Sequence, residues 1–199
     1  MTQFVLASGN RHKIDEFRAI LASMRDVIGE YTFSSMAEIG FTSEIVEDGE
    51  TFEENALIKA RAIAALGYIA IADDSGLCVN ALGGAPGIHS ARYSGAHGND
   101  ENNNSLLLKN MENCADRSAY YVCAIACAFP DGRSFTVRGE CHGELLTAYR
   151  GEGRFGYDPL FLYTPMQKTF AEMSMQEKNA VSHRGVAAKE FTKILPEYL

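Results

Sequence analysis

Two long strand-like segments in this chain flank a four-residue turn, and any fold it adopts must contain their antiparallel pairing. They run from Ser118 to Phe129 and from Ser134 to Glu144, with the turn sequence Pro130-Asp131-Gly132-Arg133 between them. The N-terminal half adds helices to this picture. A strand over residues 3 to 8 leads into Ile14, Phe17, Ile20, Leu21 and Met24 at helical spacing. Further on, Thr51-x-x-Glu54 is a capping box, followed by Ala56, Leu57, Ala60, Ile63 and Ala64 on one face and by Gly67, placed to end the helix. The apolar run Tyr68 to Ala72 follows directly and reads as a buried strand that stops at Asp73-Asp74-Ser75-Gly76. Strand, helix, helix, strand and then a hairpin give a mixed sheet with flanking helices.

The second half continues the alternation. Asn99 to Asn104 leads into a helix carrying Leu107, Leu108 and Met111. Leu160 to Tyr163 is a short strand, Ser174-x-x-Glu177 is a second capping box, and a last helix spans residues 184 to 195. Neither repeats nor linkers interrupt the 199 residues, so a single domain is expected over 1–199. The longest mostly apolar stretch, Ile63 to Ala72, is far shorter than the ~20 residues that span a bilayer, and no secretory pattern opens the chain. The expectation is a cytoplasmic protein without a membrane segment.

Net charge decides which partners to consider. At −8 the chain is ill suited to track DNA or RNA through clustered phosphate contacts. A small polyanion remains compatible if a few basic residues converge and a divalent cation neutralises the rest. Cys78, Cys114, Cys123, Cys127 and Cys141 form an odd set with no Cys-x-x-Cys pair, which points to reduced thiols, with Cys123 and Cys127 as buried small hydrophobes. His89, His97 and His142 lack metal-ligand spacing and read as surface or hydrogen-bonded histidines.

Five segments carry candidate chemistry. Ser8-Gly9-Asn10-Arg11-His12-Lys13 joins the first strand to the first helix, where a glycine lets backbone approach a ligand and the helix N-terminus attracts an anion. Glu44, Glu47, Asp48 and Glu50 are oxygen donors of the kind that suits Mg²⁺, although such runs are often solvated loops. Asp73 and Asp74 point to opposite faces of an extended strand, so one is expected to act and the other to support it. Phe155-Gly156-Tyr157-Asp158 sets two aromatics around a glycine, suited to stacking on a planar base with a carboxylate at its edge. Lys178 and the segment Ser182-His183-Arg184 supply donors that suit the keto oxygen of a 6-oxopurine and oppose the amino group of adenine.

Taken in order, Ser8-Gly9-Asn10-x-x-Lys13, Asp73-Asp74-Ser75-Gly76-Leu77, Leu82-Gly83-Gly84-Ala85-Pro86-Gly87, Phe155-Gly156-Tyr157-Asp158-Pro159 and Ser182-His183-Arg184-Gly185 resemble the inosine/xanthosine triphosphate pyrophosphatase family. The resemblance covers nearly the whole chain. It implies an α/β fold with a long mixed, largely antiparallel central sheet, two lobes around a nucleotide cleft, and a homodimer. The implied reaction is Mg²⁺-dependent hydrolysis of ITP, dITP and XTP to monophosphate and pyrophosphate. By position, Ser8, Gly9, Asn10, Arg11, His12 and Lys13 would bind the triphosphate. Asp74 would be general base and metal ligand, Glu47 the second metal carboxylate, and Ser75 a substrate contact. Phe155, Gly156, Tyr157 and Asp158 would hold the base and sugar side, Lys178 the nucleotide, and His183 with Arg184 would read the base. Where the family often has glycine this chain has Arg154. Two other readings compete: a Maf-like pyrophosphatase for other modified nucleotides, and a non-catalytic nucleotide sensor.

Overall fold

The computed structural model describes residues 2–95, 98–153 and 155–199, so the expectations for His97 and Arg154 lie outside the described residues. Its strands are β1 (Thr2–Leu6), β2 (Tyr31–Ser35), β3 (Ile69–Val79), β4 (Ser118–Ala128), β5 (Ser134–Leu145), β6 (Phe161–Tyr163) and β7 (Lys168–Thr169). The helices are α1 (Arg11–Ser23), α2 (Arg25–Ile28), α3 (Phe52–Ala64), α4 (Asp100–Asn110), α5 (Met175–Val181) and α6 (His183–Ile194). The seven strands form one mixed sheet in the order β2-β1-β3-β4-β5-β6-β7. β1 lies parallel to both β2 and β3, whereas β6 runs antiparallel to β5 and to β7. The expected hairpin is present: Phe129 and Arg133 close the turn through a 2.9 Å backbone hydrogen bond between β4 and β5.

The chain divides into two compact units. The first comprises the residues up to Asp74, Ala124–Arg138 and Ala187–Leu199. Its core joins Phe4 and Leu6 of β1, Phe17 and Leu21 of α1, Ile63 of α3 and Phe191 of α6, all fully buried. Phe17 and Phe191 meet edge to face with ring centroids 6.3 Å apart. The second unit comprises Ser75–Cys123 and Gly139–Val186. There Leu77, Leu107, Met111, Tyr121, Phe161 and Phe170 form the buried cluster.

The helix starts follow the sequence signals. Both capping boxes form reciprocally, Thr51 with Glu54 before α3 and Ser174 with Glu177 before α5. Asn99 caps α4 by accepting from the Asn102 amide at 3.0 Å. Two strands are short and weakly patterned in sequence: β2 is Tyr-Thr-Phe-Ser-Ser, with Ser35 alone buried, and β7 is two residues long. Among the described residues no helix is long and apolar enough to cross a membrane.

One boundary differs from the sequence expectation. β3 does not stop at Asp73 but runs on to Val79. Its parallel register with β1 covers Ile69 to Ile71 alone, so the polar residues begin where that neighbour has run out. Leu77, Cys78 and Val79 then restore the apolar pattern and are buried, and the Leu77 amide donates to Ser90 Oγ at 2.9 Å. Four small or polar residues in the middle of a long strand imitate a turn in the sequence.

Candidate active site

In the first unit the predicted residues gather at the carboxyl ends of β1 and the parallel part of β3, the usual place for ligand groups in parallel α/β arrangements. Asn10 caps α1, its Oδ1 accepting from the His12 and Lys13 amides at 3.0 and 3.4 Å, and its own amide donates to Ser8 Oγ at 3.1 Å. This fixes the turn from Ser8 to Lys13 and leaves Arg11 and His12 at the surface. Gly9 has nothing closer to a notional Cβ than the Met36 methyl at 3.9 Å, so the turn is open on that side.

The adjacent aspartates of β3 point apart, as an extended strand requires. Asp73, with its side chain fully buried, pairs with Lys13 Nζ at 2.9 Å. Asp74 faces a different cation: Lys59 Nζ, from α3, lies 3.6 Å from its Oδ1 and 2.7 Å from Glu47 Oε2. Burial raises the pKa of the Asp74 carboxyl, and the charge of Glu47 adds to the effect; the Lys59 ammonium opposes them without cancelling the rise. For Lys59 burial works against the charged form, but Asp74 and Glu47 outweigh it and its pKa is raised. Of the four acidic candidates before α3, Glu44, Asp48 and Glu50 are exposed and only Glu47 is half-buried in this cluster.

Lys59 is the residue that the sequence reading missed. Its signal was present: Asn55 and Lys59 stand one turn apart on a helix otherwise read for its Ala, Leu and Ile face. Asn55 is 1% exposed, and its Oδ1 takes the Gly49 amide at 2.9 Å, which ties the acidic loop to α3. No side chain fits beside that tie, because a Cβ on Gly49 would come within 2.7 Å of Glu54 Cβ.

In the second unit the remaining predicted residues surround an aromatic stack. The His183 imidazole lies parallel to the Tyr121 ring, centroids 4.6 Å apart and planes 10° apart, and Phe170 stacks on Tyr121 at 5.6 Å. Arg184 Nη2 donates to Ser75 Oγ at 3.3 Å. Lys178 is bonded to Asp158 and lies over the rings of Phe155 and Phe170, 5.6 and 5.3 Å from their centroids. Within the loop from Phe155 to Asp158 the two aromatics part company. Phe155 is half exposed, whereas Tyr157 is buried in the core with its hydroxyl donating to the Ser90 carbonyl at 2.8 Å. Asp158 is buried as well, and accepts from the Tyr121 hydroxyl at 3.4 Å besides Lys178. The expectation of two stacking aromatics and an available carboxylate edge is thus corrected: one ring is presented, and the carboxylate is engaged within the protein.

The other histidines and the thiols fall as the residues suggested. His89 is exposed, and His142 is exposed, stacked on Tyr120 and 3.0 Å from Glu140. Cys123 and Cys127 are fully buried.

Comparison with known proteins agrees over the full length. The Ham1 family model matches residues 4–194. A Desulfotalea psychrophila protein named dITP/XTP pyrophosphatase is 48% identical over 98% of this chain and 86% of its own length. One of the same name from Streptomyces avermitilis is 45% identical over all of both chains. The solved structure of the Staphylococcus aureus Ham1 protein superposes with a TM-score of 0.90 at 39% identity, covering 100% of each chain.

Proposed function

The chain belongs to the Ham1 family, and on that premise we propose that it hydrolyses non-canonical purine nucleoside triphosphates, ITP, dITP and XTP, to the monophosphate and pyrophosphate. The observation that carries the site assignment is the convergence of the half-buried Asp74 and Glu47 on one cation, Lys59, with burial raising the Asp74 pKa.

The donor set suits a divalent ion. Two carboxylates, Glu47 and Asp74, converge on a single positive charge, the Lys59 ammonium, and oxygen donors of this kind suit Mg²⁺. Among the described residues no group of three or more His, Cys, Asp or Glu could hold a metal alone; Mg²⁺ is commonly held by one or two carboxylates together with substrate phosphates. Glu47 and Asp74 would hold it, and when bound it would neutralise phosphate charge and polarise the phosphoryl oxygens.

The protein's own groups do the rest. The Asn10-capped start of α1 presents its positive dipole end to the triphosphate, and Lys13, held by Asp73, adds a cation beside it. Asp74 accepts the proton of the attacking water as the new bond to the α-phosphorus forms and the bond to pyrophosphate breaks; a carboxyl made more basic by burial suits that task. In the second unit Phe155 offers its exposed face to the purine, and Lys178 binds the nucleotide. The stacked His183 and Arg184 donate to the 6-keto oxygen, and Ser75, held by Arg184, contacts substrate. Homodimer formation and a cytoplasmic location complete the reading, the latter supported by five cysteines without a Cys-x-x-Cys pair.

The test is pyrophosphate release from ITP, dITP, XTP, GTP and ATP, with and without Mg²⁺. Fast release confined to the first three and dependent on the metal is expected. Asp74→Asn keeps the fold and lowers kcat by on the order of 10²–10⁴; near wild-type turnover in that variant would overturn its role.

A further inference from the structure

We propose that Asp100 and Asn104 of α4 are positioning residues for base recognition, gripping Gly156 from both sides and so setting where Phe155 stands. The two lie at i and i+4 and therefore share one face of the helix. Asp100 Oδ2 accepts the Gly156 amide at 2.7 Å, and Asn104 Nδ2 donates to the Gly156 carbonyl at 2.8 Å. Both backbone groups of a single residue are thereby tied to one rigid element.

Gly156 needs such a hold. Its φ of +54° lies in the left-handed region, which glycine enters at little cost but also leaves at little cost. Gly151 and Gly153 precede it, so the approach to Phe155 is equally permissive. Against that freedom, the Asp100 bond is charge-assisted, and Asn104 is 4% exposed, so water does not compete for its amide. The same helix turn is itself anchored: Asn103 Oδ1 accepts from the Ser94 amide and hydroxyl, both at 2.8 Å, and Tyr157 reaches the adjoining Ser90 carbonyl. Phe155 is left as the exposed ring at the end of a clamped peptide.

This inference rests on the reading that Phe155 contacts the purine, and the experiment separates the two. Steady-state kinetics with ITP, GTP and ATP are measured for wild type, Phe155→Ala, Asp100→Ala, Asp100→Asn and Asn104→Ala, each checked by thermal melting. Both clamp alanines should raise KM for ITP by about 10-fold, the worth of a well-made hydrogen bond, with a smaller change in kcat and a narrowed preference for ITP over ATP. Asp100→Asn keeps an acceptor for the Gly156 amide and should restore most of the loss. Asp100 sits in the partly exposed first turn, so its variants carry the test where Asn104→Ala does not fold. Unchanged KM and preference in Asp100→Ala, or an equal loss of kcat on every nucleotide that Asp100→Asn fails to restore, overturns the clamp. Should Phe155→Ala leave KM for ITP unchanged, the base-stacking reading fails instead.

Discussion

The two groups of candidate residues are held by different physics. Those of the first unit are fixed by charge: Lys13 against Asp73, and Lys59 against both Glu47 and Asp74, with side chains 12–18% exposed on the lysines. Those of the second unit are fixed mainly by shape and hydrogen bonds, a parallel stack of Tyr121 with His183 and a glycine peptide tied to a helix, with one ion pair, Lys178 to the buried Asp158, among them. Removing one partner of a buried ion pair is strongly destabilising, because it leaves an uncompensated charge. Stacks and peptide clamps tolerate changes of charge but not of volume or backbone path. Under the proposed function, the region assigned to metal and phosphates and the one assigned to the purine have different weak points.

The sharpest way to break this contrast is Lys59→Met. It leaves two carboxylates facing each other without their cation, and a loss of about 3 kcal/mol in chemical denaturation is expected, with turnover falling alongside. Added Mg²⁺ should recover part of that stability in the variant and much less in wild type. If instead the variant is as stable as wild type and indifferent to Mg²⁺, the cluster is not held by charge. Smaller, and confined to the second region, is Gly185→Ala. A Cβ there would overlap the Asn179 carbonyl oxygen of α5, and overpacking of that kind costs about 1–3 kcal/mol. Because Gly185 follows His183 and Arg184, selectivity for ITP over ATP should fall more than kcat does.

The smallest effect concerns the cap of α5, the helix that carries Lys178. Hydrogen bonding from Lys168 and from Ser174 lowers the Glu177 pKa to about 2. A carboxylate depressed on folding stabilises above its unfolded pKa, and the contribution disappears as pH falls through the folded value. The difference in Tm between wild type and Glu177→Gln should therefore be small at neutral pH and vanish on acidification to about 2. A difference that persists at that pH would show that the carboxylate charge is not what holds the cap.

The sequence was most legible where one residue type has one job. Capping boxes, the Pro130 to Arg133 turn and the long strands β4 and β5 were readable because each rests on local pattern alone. β2 escaped because its alternation, Tyr31 and Phe33, is only two residues deep before Ser34 and Ser35 interrupt it, and β7 because two residues have no pattern at all. Within the site, Asp73 and Asp74 could be separated by strand geometry, but the partner of each could not, since Lys13 and Lys59 arrive from different helices. The Asn55–Lys59 spacing was a weak sign of chemistry because a lysine on a helix is usually solvated. The fate of Tyr157 was equally hidden: two aromatics around a glycine look alike in sequence, and tertiary packing alone buries one and exposes the other.

The continuation of β3 past its carboxylates bears on motion. Backbone in the interior of a core strand opens only at the free energy of global unfolding, whereas loops open locally and often. Asp74 rides on an eleven-residue strand and Phe155 on a glycine-flanked loop. Amide exchange at Asp73 to Ser75 should be slower than in the loop around Phe155. Thermal fluctuation would then reach Asp74 after it reaches Phe155, and a core mutation would lower activity by thinning the folded population rather than by blurring the position of that carboxylate.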